Sequence, residues 1–371
     1  SRARSRPPWP TSWDAAGRCS SGLWDMPCWC CVRWCTFGTT TTTTTATATT
    51  TMALPALPAA AAATALASCA PAAAAIKSAI LTGSHVLPVA GLTAISAAAV
   101  VPLTLVRQAY SFSVGYGAAV AAMCASLIGI FGLPSPLSKA AWSAGAGGGG
   151  ATAAAAPQLM AYAGLIYGVR LAAFLFLREL VVPSKKEQIK KLDKTSRPAR
   201  VPFAAAVGMF YAFMVSPVLY AIRSGAALSC PLGICSAAIL SKVQWAGVML
   251  AFLGLSVEAT ADMQKFLVKR DYDYTSSFVG PTGGLYGLSR HPNYAGEILF
   301  WAGMFLGGLP AFGKNVVAWV TGSIGLWGIV SIMTGATKRL DEKQADRYES
   351  EMAYKSWRED VKAPLFPFVN E

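Results

Sequence analysis

Ser289-Arg290-His291-Pro292-Asn293-Tyr294-Ala295-Gly296-Glu297 is a dense polar string that runs straight into an apolar one, Ile298 to Leu309. Ionisable groups at the mouth of an apolar helix are expensive and need a reason. Pro292 suits a first helical turn, where its missing N–H costs nothing. The free amides of such a turn, together with the helix dipole, favour an anion such as a pyrophosphate. Arg290 adds a forked donor for phosphate, and Ser289 adds a hydroxyl. Gly283 and Gly284, just upstream, allow a ligand close to the backbone. Asn293 and Glu297 are four apart and can meet one ligand edge together, while Arg290, Tyr294 and Glu297 share another face. His291 has the chemistry of an acid or a metal ligand. The only other histidine is His85, so no metal site is expected.

Two further polar groups fall on the same side of the chain's apolar segments. Glu258, Asp262, Lys265 and Lys269 are spaced by four, three and four, which places them on one helical face. Glu258 and Asp262 lie inside an apolar run, where a lone carboxylate is costly unless it is paired or lines a wet cavity. Both readings, an internal ion pair and a ligand contact, stay open. The tail carries Lys338, Arg339, Glu342, Arg347, Tyr348, Tyr354 and Trp357. These residues describe either a surface amphipathic helix or a flap over a bound nucleotide.

The elements that must position these groups are membrane helices. Of the 371 residues, 54% are hydrophobic and only 13% charged, too apolar for an ordinary soluble enzyme. Seven runs reach the length of a bilayer crossing, about 88–106, 114–131, 158–177, 203–221, 243–262, 291–309 and 315–333. There is no period-2 pattern of any length, so the fold class is all-α, a multi-pass transmembrane helical bundle. The net charge of +13 does not mean nucleic acid. It gathers in alternate connections: Arg178 to Arg200, then Lys265, Lys269, Arg270 and Arg290, then Lys338 onward. That pattern puts these loops and the C-terminus on the cytosol-like side, facing anionic lipid headgroups. Asp341 to Lys355 has no Pro or Gly and predicts a surface helix, ended by Pro364 and Pro367.

The N-terminal fifth has another character. Cys28, Cys30, Cys31 and Cys35 are spaced like a thiolate cluster, but no second ligand set follows. Residues 1–51 also contain an unbroken Thr run at 39–45, and Met52 opens a cleaner segment. We expect 1–51 to be translated upstream sequence or a disordered leader. Residues 52–80 are Ala-rich and predict a targeting or disordered segment, and 81–371 a single membrane domain. Ala144 to Ala153 is Gly-rich and predicts a flexible linker.

Gly284-Leu-Tyr-Gly-Leu-Ser-Arg-His-Pro-Asn-Tyr-Ala-Gly-Glu297, preceded by Ala261-Asp-Met-Gln-Lys265, resembles the steroid 5-alpha-reductase superfamily. Tyr167-Gly-Val-Arg-Leu and the ending Tyr354…Pro364-Leu-Phe-Pro-Phe are similar to its steroid-dehydrogenase-like membrane branch. The resemblance covers roughly residues 100–370. It implies NADPH as hydride donor to an activated C=C bond in a sterol or other lipid-like substrate. It also implies a cofactor-binding half at 243–371, with nucleotide contacts at Asp262, Lys265, Gly284, Ser289, Arg290, His291, Asn293, Tyr294 and Glu297. Gly283, Arg339 and Tyr354 join them on the residue reading above. Reduction of an enone also needs a proton donor or electrophile at the carbonyl. Steroid reductases draw theirs from a Glu/Tyr pair on N-terminal helices. That pair has no match here, and the catalytic residues are unassigned, with Tyr167 and Arg170 as candidates.

Isoprenylcysteine carboxyl methyltransferases share an Arg-His-Pro-x-Tyr-x-Gly helix start and use S-adenosylmethionine. A non-catalytic lipid-binding protein on the same fold is the third reading. The expected partners are the lipid bilayer and a lipid-like small molecule, in the endoplasmic reticulum or a plastid membrane. The sequence does not set the oligomeric state.

Overall fold

The computed structural model describes residues 59–136, 150–225, 228, 236–270 and 277–367. The expectations for 1–51 and for 144–149 of the Gly-rich linker lie outside them, while the linker's last residues, 150–153, are helical and open a long helix rather than staying flexible. Among the described residues every regular element is a helix: α1 (Ala59–Thr82), α2 (Leu87–Val106), α3 (Val114–Phe131), α4 (Gly150–Val181), α5 (Pro183–Lys191), α6 (Arg200–Ser224), α7 (Ala237–Lys269), α8 (Pro292–Gly308), α9 (Val316–Tyr348) and α10 (Met352–Asp360). Short 3-10 turns at Gln108–Phe112, Gly284–Gly287 and Leu309–Ala311 link them.

Six helices are long and apolar enough to cross a membrane: α2, α3, α4, α6, α7 and α9. The expected seventh, at 291–309, is α8. Its 17 residues span only about 25 Å at ~1.5 Å per residue. α8 is also strongly enclosed, with 11 of its 17 residues buried. It packs along α7 and against α6 and α9, with Phe300, Trp301 and Met304 buried. It nevertheless runs antiparallel to α7, from Gly296 beside Glu258 to Gly307 beside Gln244, and so carries the chain back across the bundle.

Most of the Ala-rich segment expected at 52–80 lies in α1. Alanine is the strongest helix former, and its run is helical from Ala59. Ile80 is fully buried against Gly91 of α2. The folded body therefore begins before residue 81.

Two close helix contacts position the polar groups. In the first, α3 meets α4 at Gly117 and Gly168. A Cβ on Gly117 would lie 2.7 Å from the Gly168 carbonyl oxygen, so the two backbones touch. That contact sets Tyr116 beside Tyr167. In the second, α7 and α8 share a glycine seam. A Cβ on Gly254 would fall 2.3 Å from the Phe300 nitrogen, and one on Gly303 would fall 2.4 Å from the Ala251 nitrogen. No side chain separates these two helices, so backbone contact fixes their register.

α7 and α9 each run 33 residues, about 50 Å at ~1.5 Å per residue. A hydrocarbon core is only ~30 Å thick. The surplus turns carry Asp262 to Lys269 and Thr337 to Tyr348. The tail helix is not the separate Asp341–Lys355 element expected: α9 runs unbroken to Tyr348, the chain turns at Glu349–Glu351, and α10 follows. Glu351 fixes the turn by accepting the Phe278 amide at 2.8 Å.

Candidate functional site

Arg170 on α4 reaches across to α7. Its guanidinium donates to Glu258 Oε1 at 2.5 Å and to Asp262 Oδ2 at 2.8 Å. The one-face spacing of the two carboxylates makes this fork possible, and the ion-pair reading of the sequence is realised. The pairing is incomplete, however. Glu258 Oε2 and Arg170 Nε are buried with no partner, as is Asn293 Oδ1. Asn293 Nδ2 contacts Asp262 Oδ1 at 3.4 Å. A buried polar atom left unpaired costs about 1–3 kcal/mol, so these orphans mark a place built for further hydrogen bonds.

A second cluster lies beside the first. The Tyr116 hydroxyl donates to Glu297 Oε1 at 2.9 Å and accepts from Trp301 Nε1 at 2.6 Å. The Tyr167 hydroxyl is 3.1 Å from it. Tyr167 stacks on Phe300, ring centroids 4.1 Å apart, and carries the Arg170 guanidinium 5.6 Å from its ring centre. A Cβ on Gly296 would fall 2.5 Å from the Glu258 nitrogen, so the two acidic helices meet here without an intervening layer. Three buried carboxylates, Glu258, Asp262 and Glu297, thus gather around one guanidinium, in surroundings otherwise made of aromatic rings.

The residues ahead of α8, expected to meet a ligand, hold the C-terminal tail in this structure. Arg290 Nε and Nη2 donate to Asp341 Oδ2 at 3.1 and 2.8 Å. Arg290 Nη1 donates to the carbonyls of Val361 and Lys362. His291 Nε2 meets Asp341 Oδ1 at 2.7 Å. The amides of Arg290 and His291 donate to the Ala363 and Pro364 carbonyls, both at 3.0 Å. Ser289 Oγ donates to the Pro364 and Leu365 carbonyls. Ser289, Arg290 and His291 therefore clasp the tail, with Asp341 of α9 as the shared anchor. Tyr294 stacks on His291, centroids 5.6 Å apart.

The tail lies as a flap over the loop that precedes α8. Tyr354, Trp357 and Val361 are buried with Phe278 and Tyr348 packed against them. Trp357 Nε1 donates to the Tyr286 carbonyl at 3.0 Å. Gly284 holds a left-handed φ of 64° with the Gln264 side chain against it, and Gln264 accepts the Leu285 amide at 3.2 Å. Under the flap lies a narrow space of about 10 Å³, walled by Lys265, Lys269, Gly280, Pro281, Tyr286, Arg290, Gln344 and Trp357 among others. Burial raises the Tyr286 hydroxyl above its ordinary pKa, so it stays protonated there. Gly283 and Arg339 are exposed at the surface. Tyr354, expected near a ligand, is instead a buried part of the flap, where its hydroxyl accepts from Arg358 at 2.9 Å.

Exchanging Asp341 for Ala should release this flap. The buried Arg290 would lose its carboxylate, a change that costs about 3–5 kcal/mol where a buried pair is broken. Trypsin should then cut at Arg347, Lys355 or Arg358 much faster than in the parent, with α2 to α8 still protected. Unchanged cleavage would show that Asp341 does not hold the flap.

Sequence reasoning missed Tyr116, Trp301, Gln264 and Asp341. Tyr116 sits in an uncharged Val-Gly-Tyr-Gly run, and Asp341 is one acid in a charged tail. Only the small-residue flanks of Tyr116 gave any sign of a close helix contact.

Six helices long and apolar enough to cross a membrane, with a polar cluster buried among them, make a multi-pass helical bundle. Residues 139–361, more than half of the chain, match the family described as protein of unknown function (DUF1295). The chain belongs to this family, which is steroid 5-alpha-reductase-like. No curated protein and no solved structure is similar enough to match it.

Proposed function

We propose that the protein is a membrane-bound, NADPH-dependent reductase of an activated C=C bond in a sterol or other lipid-like substrate, in the endoplasmic reticulum or a plastid membrane. The observation that carries this reading is the joined cluster of Arg170, Glu258, Asp262, Asn293 and Glu297 beside Tyr116 and Tyr167. The residues present fit the nucleotide in chemistry. Glu258 Oε2 and Asn293 Oδ1 are orphan acceptors for its amide and hydroxyl groups. Lys265 and Lys269 border the space under the flap, on the side where phosphates would lie. The surplus of carboxylate over guanidinium suits a ligand ring that becomes positive as it reacts. When bound, the nucleotide supplies a hydride to the β-carbon of an enone.

The chain's own work is to supply the matching proton and hold the carbonyl. Tyr167 and Tyr116 form a hydroxyl pair ending on Glu297. A substrate carbonyl received by Tyr167 would be polarised by its O–H, and a proton delivered to the α-carbon completes the addition of H₂ across the double bond. The aromatic walls around these groups exclude water, which strengthens each hydrogen bond. About 10 Å³ under the flap is room for roughly one water, so the flap must open to admit a nucleotide. Arg290, His291 and Ser289 act in this account as the clasp rather than as phosphate ligands.

A sulfonium would also suit the acidic cluster, which keeps the methyltransferase as the second reading. The discriminating experiment is thermal unfolding of the detergent-solubilised protein with NADPH, NADH or S-adenosylmethionine. A ligand that binds only the folded state stabilises it by about 2.7 kcal/mol at 100 times its Kd. Stabilisation by NADPH is expected, and Glu297→Gln should abolish it. Stabilisation by S-adenosylmethionine instead would move the protein to methyl transfer. No shift with any of the three would favour the non-catalytic lipid-binding reading.

A further inference from the structure

At the C-terminal end of α4 lies a cavity of about 280 Å³ that the reductase reading does not use. Its walls are Ala109, Phe112 and Ser113 from the turn after α2, Leu175, Arg178 and Glu179 from the end of α4, and Ile189 and Leu192 around the end of α5. Asp193 holds these pieces together. It accepts from Arg107 at 3.1 Å and from the Gln108 amide at 2.7 Å, and it pairs with Arg200 at 3.3 Å. The walls are therefore a fixed part of the fold.

Glu179 is 7% exposed, and its Oε2 has no hydrogen-bond partner. The Tyr110 hydroxyl serves the same carboxylate, and burial with that neighbour raises its pKa. A buried carboxylate oxygen without a donor is costly, and the cavity is the space from which a donor would come. Arg178 brings a positive charge to the same cavity. Around the two charges the walls are apolar, and Phe112 and Leu192 are 51% and 47% exposed. Leu177, Leu180 and Val181 continue an exposed apolar surface along the end of α4. The basic segment Lys185 to Arg200 follows in the chain, which places this end of the bundle at the headgroup level of the cytosol-like leaflet.

We infer that this cavity holds the headgroup of an aminophospholipid, with its primary ammonium on Glu179, its phosphate on Arg178 and its acyl chains along Phe112 and the exposed face of α4. A cavity of this size admits a headgroup rather than a whole lipid. Opposite charges side by side select a zwitterion. An orphan carboxylate oxygen selects an N–H donor over a trimethylammonium, which has no N–H to give. The site is independent of the reductase reading and stands if that reading fails.

The test is native mass spectrometry of the full chain in detergent, titrated with dihexanoyl phosphatidylethanolamine, dihexanoyl phosphatidylcholine and dihexanoyl glycerol. We expect the ethanolamine lipid to bind about tenfold more tightly than either of the others, the scale of one charge-assisted hydrogen bond. Glu179→Gln keeps the shape and the bond to Tyr110 and should erase that preference. Phe112→Ala, at an exposed wall, should weaken both phospholipids equally and leave the preference intact. Thermal unfolding without added lipid checks that both variants are folded. Equal binding of the three lipids by the parent, or an unchanged preference in Glu179→Gln while Phe112→Ala behaves as expected, would overturn the assignment.

Discussion

Tyr167→Phe should lower turnover of a 4-ene-3-ketosteroid or other enone lipid by about 10²–10⁴-fold, the usual contribution of a positioned proton donor. The fold should barely register the change. The Tyr167 hydroxyl bonds that of Tyr116, and the ring keeps its stack on Phe300. NADPH affinity should stay at the parent value, since the lost group faces the carbonyl rather than the nucleotide. Turnover near the parent rate would remove Tyr167 from the chemistry and leave it a packing residue. Loss of NADPH binding would instead place the hydroxyl in the nucleotide site.

Arg170→Met is expected to have the largest effect on stability. It takes from Glu258, 3% exposed, and from Asp262 the guanidinium that pairs with both, and removing one partner of a buried ion pair costs about 3–5 kcal/mol. The unfolding midpoint in detergent should fall clearly. The triple variant Arg170→Met, Glu258→Gln, Asp262→Asn should recover most of the loss, because neutral amides tolerate burial far better than unpaired carboxylates. A triple variant no more stable than the single one would mean that the Met side chain itself, rather than the stranded charges, is the problem.

The polar constellation was partly legible in the sequence because charge is conspicuous in an apolar chain. Glu258 and Asp262 stood out for that reason, and their four-residue spacing already implied a common partner. Arg170 was visible only as a candidate, since the helix crossing that brings α4 to α7 is tertiary. The destination of Arg290 was not readable. Its partner Asp341 is 51 residues away, and the carbonyls it holds carry no side-chain signature at all. For the same reason the hold of Ser289, Arg290 and His291 on the tail ahead of Pro292 was not readable. Hydropathy alone did not show that α8 is the short span packed among its neighbours, because an apolar sequence looks alike whether lipid or protein surrounds it. The glycines at 247, 254, 296 and 303 repeat at intervals of seven on both helices, and that repeat was a readable sign of the seam.

The seam between α7 and α8 also insulates the carboxylates from the membrane. Hydrophobic mismatch is relieved by tilting helices, at a fraction of a kcal/mol per Å. Two helices joined backbone to backbone through Gly254 and Gly303 tilt as one body. Glu258 and Asp262 on one and Asn293 and Glu297 on the other therefore keep their separation as bilayer thickness changes, while helices joined by long side chains would slide. The same acidic geometry is thus portable between thin and thick membranes, and the lipid-facing residues of both helices are free to drift in sequence without disturbing it.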